Sequence, residues 1–235
     1  MSFFEQIAYN KGHIIKFLHV ATGTEVSFPA FIKQFTDNYA ANWQATQIFG
    51  RTDPIQSYQN TVRSIDIAFD VVSDSLEKAK ENMEKYSTLK RMLYPMYGNP
   101  LGGNAAGSRG RTIKAPPYIR IKFMNYIENV SDTSFEEGLL GCIKGLKFDP
   151  QIGTGGPGTF IDEDNKLLPK HFTVQFGFDP QHEETLGWDE DSQFLAERFP
   201  YRTGTRRGEP QMPTTTNEDV RRTNEIKTLE QYGED

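Results

Sequence analysis

Apolar residues fall on alternate positions over several stretches of this chain, and a period of two marks strands with one buried face. The clearest stretch runs from Val62 to Val72. Ile65, Ile67, Phe69 and Val71 point one way, while Ser64, Asp66, Ala68 and Asp70 point the other. This predicts a half-buried antiparallel strand. His171 to Phe178 repeats the pattern, with Phe172, Val174, Phe176 and Phe178 on one face. Tyr118 to Phe123 alternates too, and His13 to Val20 is β-branched and apolar ahead of a Thr22-Gly23 turn. Leu139 to Phe148 reads as a strand interrupted by glycines, and Gly153 to Gly158 as a turn. Glu25 to Phe35 is aromatic and partly alternating. Pro29 cannot donate to a ladder, so this stretch is an edge strand, a bulged strand or a loop. Asn42 to Phe49 is a further extended candidate.

The period lengthens once, over residues 75–93. Leu76, Ala79, Met83, Tyr86, Lys90 and Leu93 form a helical stripe that is apolar except at Lys90, with Glu and Lys on the other side. Asp74 and Glu77 have the spacing of a capping box, and Pro95 stops the helix. Asn99 to Pro117 is rich in Gly, Asn, Ser and Pro and predicts a long loop. After Asp179 apolar residues thin out and charges of both signs take over. The sum is an α+β fold, mainly an antiparallel β-sheet or sandwich with one principal amphipathic helix. Residues 1–180 form its domain, and 181–235 an extended or partly disordered C-terminal arm.

Only 36% of the 235 residues are hydrophobic, so the core must draw on the 17 Phe and 10 Tyr. A net charge of -6 argues against a general nucleic-acid binder, which needs clustered cations to neutralise phosphates. Cys142 is the only cysteine, which excludes an intrachain disulfide and a thiolate metal cluster. No run approaches the roughly 20 apolar residues of a membrane helix. The opening MSFFEQIAYNKGH has neither the charged start nor the apolar stretch of a secretory signal, so retention inside the cell is expected.

Candidate chemistry is sparse. Gly153-Thr154-Gly155-Gly156-Pro157-Gly158 lacks the Lys-Ser or Lys-Thr of a phosphate loop, and acids follow it. His13 and His19 sit six apart on a strand, about 20 Å from one another, too far to share a metal. His171 and His182 flank a strand and a turn. Asp162, Glu163, Asp164 and Asn165 lack the alternating spacing of a calcium loop. No metal site, cofactor site or catalytic residue is expected. A cell-wall hydrolase using Glu183 and Glu184 as acid and base is the alternative enzyme reading. Arg109, Arg111 and Lys114 make a basic cluster suited to docking a partner or nucleic acid. So do Arg202, Arg206, Arg207, Arg221 and Arg222 in the arm, and salt bridges to partners are favoured for both.

One stretch says more than these. Ile48 to Val72 reads IFGRTDPIQSYQNTVRSIDIAFDVV. It resembles the baseplate tube proteins of contractile-tailed phages, of the tail tube initiator or hub-to-tube adaptor type. The resemblance is carried by Gly50, Arg51, Asp53, Pro54 and Ile55, then Tyr58, Thr61 and Arg63, running into the alternating strand. A helix ending near Leu93-Tyr94-Pro95, the strand Pro117 to Phe123, and Leu168-Pro169 before the last strand extend it to roughly 48–180. The resemblance implies a non-enzymatic virion protein of the tail baseplate, assembled in the host cytoplasm. It would form a homohexameric ring whose hairpins join into a β-barrel that starts or extends the inner tube. Its partners would be identical subunits and other hub and tube proteins, with DNA only in passage. Arg51, Asp53, Tyr58 and Arg63 would fix turns or interfaces, and Ser64, Asp66 and Asp70 are candidates for the lumen wall. A neck or tail-terminator module is the neighbouring alternative.

Overall fold

A computed structural model describes residues 13–29, 31–98, 112–129, 138–153, 156–196 and 198–201. The strands are β1 (Ile14–His19), β2 (Thr24–Pro29), β3 (Phe31–Thr46), β4 (Ile55–Val72), β5 (Met96–Tyr97), β6 (Ile113–Ala115), β7 (Ile119–Phe123), β8 (Leu139–Asp149), β9 (Thr159–Ile161), β10 (Leu167–Pro169) and β11 (His171–Pro180). The helix α1 spans Leu76–Arg91. Seven strands form one sheet in the order β2-β1-β7-β8-β11-β4-β3, antiparallel at every step. The expected α+β architecture is what the structure shows, mostly antiparallel strand with one helix among the described residues.

The core follows from the alternation. Ile65, Ile67, Phe69 and Val71 of β4 lie beside Phe172, Val174, Phe176 and Phe178 of β11, and all eight are buried. Phe17 of β1 and Phe28 of β2 join them, with ring centroids 5.6 Å from Phe17 to Phe176 and 5.9 Å from Phe28 to Phe69. β2 and β3 end the sheet on opposite sides, yet only residue 30 separates them in sequence. One residue spans only a few ångströms. The sheet must therefore curl until its two ends meet, which wraps the phenylalanines inside. Pro29 ends β2 at a sheet edge, where its missing donor costs no ladder bond.

α1 packs on this interior through Tyr86, stacked on Phe148 at 4.5 Å and tilted against Phe172 at 5.9 Å. Its buried positions are Ala79, Asn82, Tyr86 and Leu89, a stripe rotated from the expected one. Polar Asn82 hid this rotation: it is buried because it donates to the Ser73 hydroxyl at 2.9 Å. The cap also differs. Ser75, not Asp74, accepts from the Lys78 amide at the helix start. Gly145 takes a left-handed conformation (φ 63°) where β8 shifts register against β11, which explains the glycine-interrupted pattern. The segment from Asn42 to Phe49 is not a separate strand; most of it is the distal part of β3.

Candidate functional site

β3 and β4 are far longer than the strands around them, at 16 and 18 residues. β11 reaches along β4 only as far as Ile65. Beyond that point Ile55–Ser64 of β4 pairs with β3 alone. The outer side of β3 has no strand partner among the described residues. A two-stranded ribbon of about ten residues per strand, roughly 33 Å long, thus stands off the curled sheet with both edges open. Every residue from Asn38 to Asp53 is exposed.

The tip is a built turn. The Arg51 amide donates to the Ile48 carbonyl at 3.2 Å, and Gly50 has φ 84°. Positive φ at the third residue of such a turn is the type II geometry that favours glycine. Gln47 Nε2 also donates to the Arg51 carbonyl at 3.1 Å. This holds Phe49 wholly in solvent.

The ribbon has two unlike faces, set by its register. Tyr39 pairs with Arg63, Ala41 with Thr61 and Trp43 with Tyr58, continuing the core face of β4 outwards. A register shift beside Gln59 keeps Tyr58 on this side, where its ring meets Trp43 at 5.3 Å and its hydroxyl lies 2.8 Å from that of Thr61. The other face carries Asn38, Ala40, Asn42 and Gln44 opposite Ser64, Val62, Asn60 and Ser57. Asn42 donates to Asn60 across it at 2.7 Å, and Gln59 to Gln44 at 3.2 Å.

At the ribbon's root sits an ion pair taken out of water. Arg63 binds both oxygens of Asp37 at 2.9 and 2.7 Å, and both side chains are only 3% exposed. Tyr201 donates a further hydrogen bond to Asp37 at 2.8 Å, and the rings of Tyr39 and Phe199 flank the guanidinium. Residues 181–196 and 198–201 thereby supply a strap across the root of the aromatic face. His182 meets the Phe199 ring at 5.2 Å, and Phe194 stacks on Phe199 at 5.9 Å. Burial, helped by the positive charge of Arg63, pushes His182 down to about 4, so its imidazole is neutral near neutral pH. A cavity of about 310 Å³ remains between Tyr39, Tyr58, Arg63, Trp188 and Phe199.

The residues singled out from sequence thus separate. Arg51 and Asp53 are exposed at the tip, Tyr58 is midway along the ribbon, and Arg63 is at its root with an intrachain partner. Ser64, Asp66 and Asp70 share the side away from the core. Asp70 is enclosed by Thr173 at 2.6 Å, Lys33 at 3.0 Å and His171 at 3.1 Å. Burial raises its pKa, but the hydrogen bonds from these three outweigh burial and hold it below the usual carboxylate range. Lys114 is exposed in the middle of β6, so this part of the expected long loop is a strand, while Arg109 and Arg111 lie outside the described residues, as do Arg202 and the other arginines of the arm. Asp37, Tyr201 and Phe199 were not visible as site residues. Asp37 is 26 positions from Arg63 and Tyr201 is 164 from Asp37, with no motif linking them.

Glu183, one of the two candidate acids of a hydrolytic pair, is held in an ion pair. Arg120 grips both oxygens of Glu183 at 2.6 and 2.7 Å, and Asn129 adds a bond at 2.8 Å. These bonds, Arg120's foremost, hold Glu183 below the ordinary range, the opposite of what a general acid requires. Thr159–Ile161 after the glycine-rich turn is a strand, not the helix of a phosphate site. Among the described residues no group of three or more His, Cys, Asp or Glu could hold a metal ion, and no helix is long and apolar enough to cross a membrane.

No protein-family model matches the chain, and no curated protein sequence matches it. Among solved structures, it is similar to the Dit (gp 19.1) protein of SPP1, described as a paradigm of the hub adsorption apparatus in phages infecting Gram-positive bacteria. Identity is 10% and the TM-score 0.35 over 71% of this chain and 49% of that one, so this chain spans about half the Dit protein's length. It is also similar to a chain of the anti-feeding prophage (AFP) baseplate, with 8% identity and a TM-score of 0.30 over 72% of this chain and 89% of that one.

Proposed function

We propose that this protein is a structural, non-enzymatic subunit of a phage contractile-tail baseplate, and that copies of it form a ring through the β3–β4 ribbon. The single observation that carries this reading is the ribbon itself, about 33 Å of paired strand whose two edges are open among the described residues and which has no core of its own. An isolated two-stranded ribbon is marginal in water. Open strand edges are also templates for further pairing, which natural proteins normally block. Here the edge residues Asn38, Asn42, Asn60 and Ser57 offer no charge that would block a neighbour. Closing a circle of ribbons removes every edge at once, as a barrel does. The resemblance of residues 48–72 to tail tube initiator proteins supports the same arrangement, a hexamer that starts or extends the inner tube.

In this reading Arg63 and Asp37 set the angle at which the ribbon leaves the body. Arg51 and Asp53 at the tip face the neighbouring layer. Lys114 on β6, with Arg109 and Arg111 before it in sequence, docks other hub proteins. The test is the oligomeric state of the full chain, by light scattering over a range of concentrations, alone and with purified hub partners. A hexameric ring is expected, alone or on the template. A second protein joins Ala41 to Thr61 through an Asn-Gly turn, which removes the distal ribbon but leaves the β4–β11 core. It is expected to fold as a monomer that no longer assembles. A full chain that stays monomeric even with hub partners, or a truncated chain that assembles equally well, contradicts the proposal.

A further inference from the structure

The ribbon's two faces are chemically so unlike that only one of them suits the wall of a passage. Resting on the ring reading above, we propose that the side bearing Asn38, Asn42, Gln44 and Asn60 lines the lumen. We propose further that this wall is uncharged, so that an extended polyanion such as nucleic acid slides past without being held. Ser64, Asp66 and Asp70, the lumen candidates read from sequence, lie on this same side, and Asp66 and Asp70 alone would suggest an acidic wall.

Three observations support this assignment. First, from Asn38 to Thr46 and from Ile55 to Ser64 no residue on this side is charged, over about 33 Å of ribbon. Amides and hydroxyls fill it instead, and Asn42–Asn60 and Gln44–Gln59 already bond one another. Second, the opposite side is aromatic where this one is amide and hydroxyl. It carries Tyr39, Trp43 and Tyr58, and the strap covers its root. Third, the neutral side runs without a break into the outer surface of the sheet, where charges come in opposed pairs. Lys33 meets Asp70 at 3.0 Å, and Lys144 pairs with Asp179. Asp66 is exposed on the same surface.

The physics distinguishes three kinds of wall. Lysines and arginines would retain a polyanion by releasing its counterions, with steep salt dependence. A strongly acidic wall would oppose its entry. Neutral amides exchange hydrogen bonds with water at little net gain, so they do neither.

Ala40 and Ala41 are adjacent, exposed and on opposite sides, Ala40 opposite Val62 and Ala41 opposite Thr61. In a Cys142→Ser background, Ala40→Cys and Ala41→Cys are labelled with a biotin maleimide before assembly and challenged with streptavidin afterwards. Streptavidin is expected to reach the Ala41→Cys label and not the Ala40→Cys label in rings, and both in monomers. In parallel, Asn60→Lys and Thr61→Lys rings are tested for retention of a DNA oligonucleotide. Asn60→Lys should retain it about tenfold more tightly than the native ring, with affinity falling as salt rises, and Thr61→Lys should not. Absence of rings in every case defeats the ring reading and this inference together. Rings in which Ala41→Cys is the hidden site, or in which both labels are reached, overturn the face assignment while leaving the ring intact. Native rings that hold DNA as tightly as Asn60→Lys overturn the neutral wall alone.

Discussion

Arg63 and Asp37 show how much can rest on one contact. Each side chain is 3% exposed and each satisfies the other with two hydrogen bonds. Removing one partner strands a buried charge, which costs about 3–5 kcal/mol. Asp37→Ala should therefore lower stability by about that amount in urea unfolding. Tyr201→Phe, which removes one hydrogen bond to Asp37 and leaves those of Arg63 and Tyr39, should cost about 1 kcal/mol. His182 gives a pH prediction. Its folded pKa, about 4, lies below the ordinary 6.5, so unfolding takes up a proton between those values. Its contribution to stability is complete above pH 6.5 and is lost as pH falls towards 4. His19 is lowered by burial too and acts in the same sense. The clean comparison is thus native protein against His182→Phe, which keeps a ring against Phe199. The native protein should lose more stability between pH 7 and pH 5 than the variant, and equal losses would show that His182 does not titrate in this window.

The legible elements were those with one buried and one wet face. β4 from Ile65 to Val71 and β11 from Phe172 to Phe178 alternate because a core lies on one side only. β3 escaped recognition as a 16-residue strand because its distal part has no buried face to impose a pattern. Asn38, Asn42 and Gln44 are poor strand formers taken singly, and pairing with β4 overrides that preference. The same absence of burial hid the ribbon's first residues on β4, Ile55 to Thr61. The helix was visible, but its burial axis was misjudged by one position because Asn82 is buried and Lys90 is not. Of the site, Tyr58 and Arg63 stood out by motif, whereas the strap's part in it is a matter of tertiary contact that no local pattern records. Two element-level outcomes follow. Ser75→Ala should cost about 1 kcal/mol by removing the cap of α1. Gly50→Val should disorder the tip turn, since a β-branched residue resists φ 84°, and should leave the core's thermal transition nearly unchanged.

In the whole molecule a curled, aromatic-filled sheet and a bare ribbon share two continuous strands. The core anchors one half of β4, and the other half pairs with β3 alone among the described residues. That division explains why the chain can hold so low a hydrophobic fraction and still fold: 36% is diluted by a ribbon with no interior of its own. The strap packs against the junction on the aromatic side, through Tyr201 on Asp37 and Phe199 on Tyr39 and Arg63. Amide hydrogen exchange along residues 38–46 and 55–64 tests the central claim most directly, with the full chain measured dilute and then as an assembled particle. Amides on the ribbon's open edges should exchange rapidly in the dilute protein and become protected on assembly, while those of β11 stay protected throughout. Ribbon amides that exchange equally fast in both states would show that neighbouring copies do not pair with this ribbon.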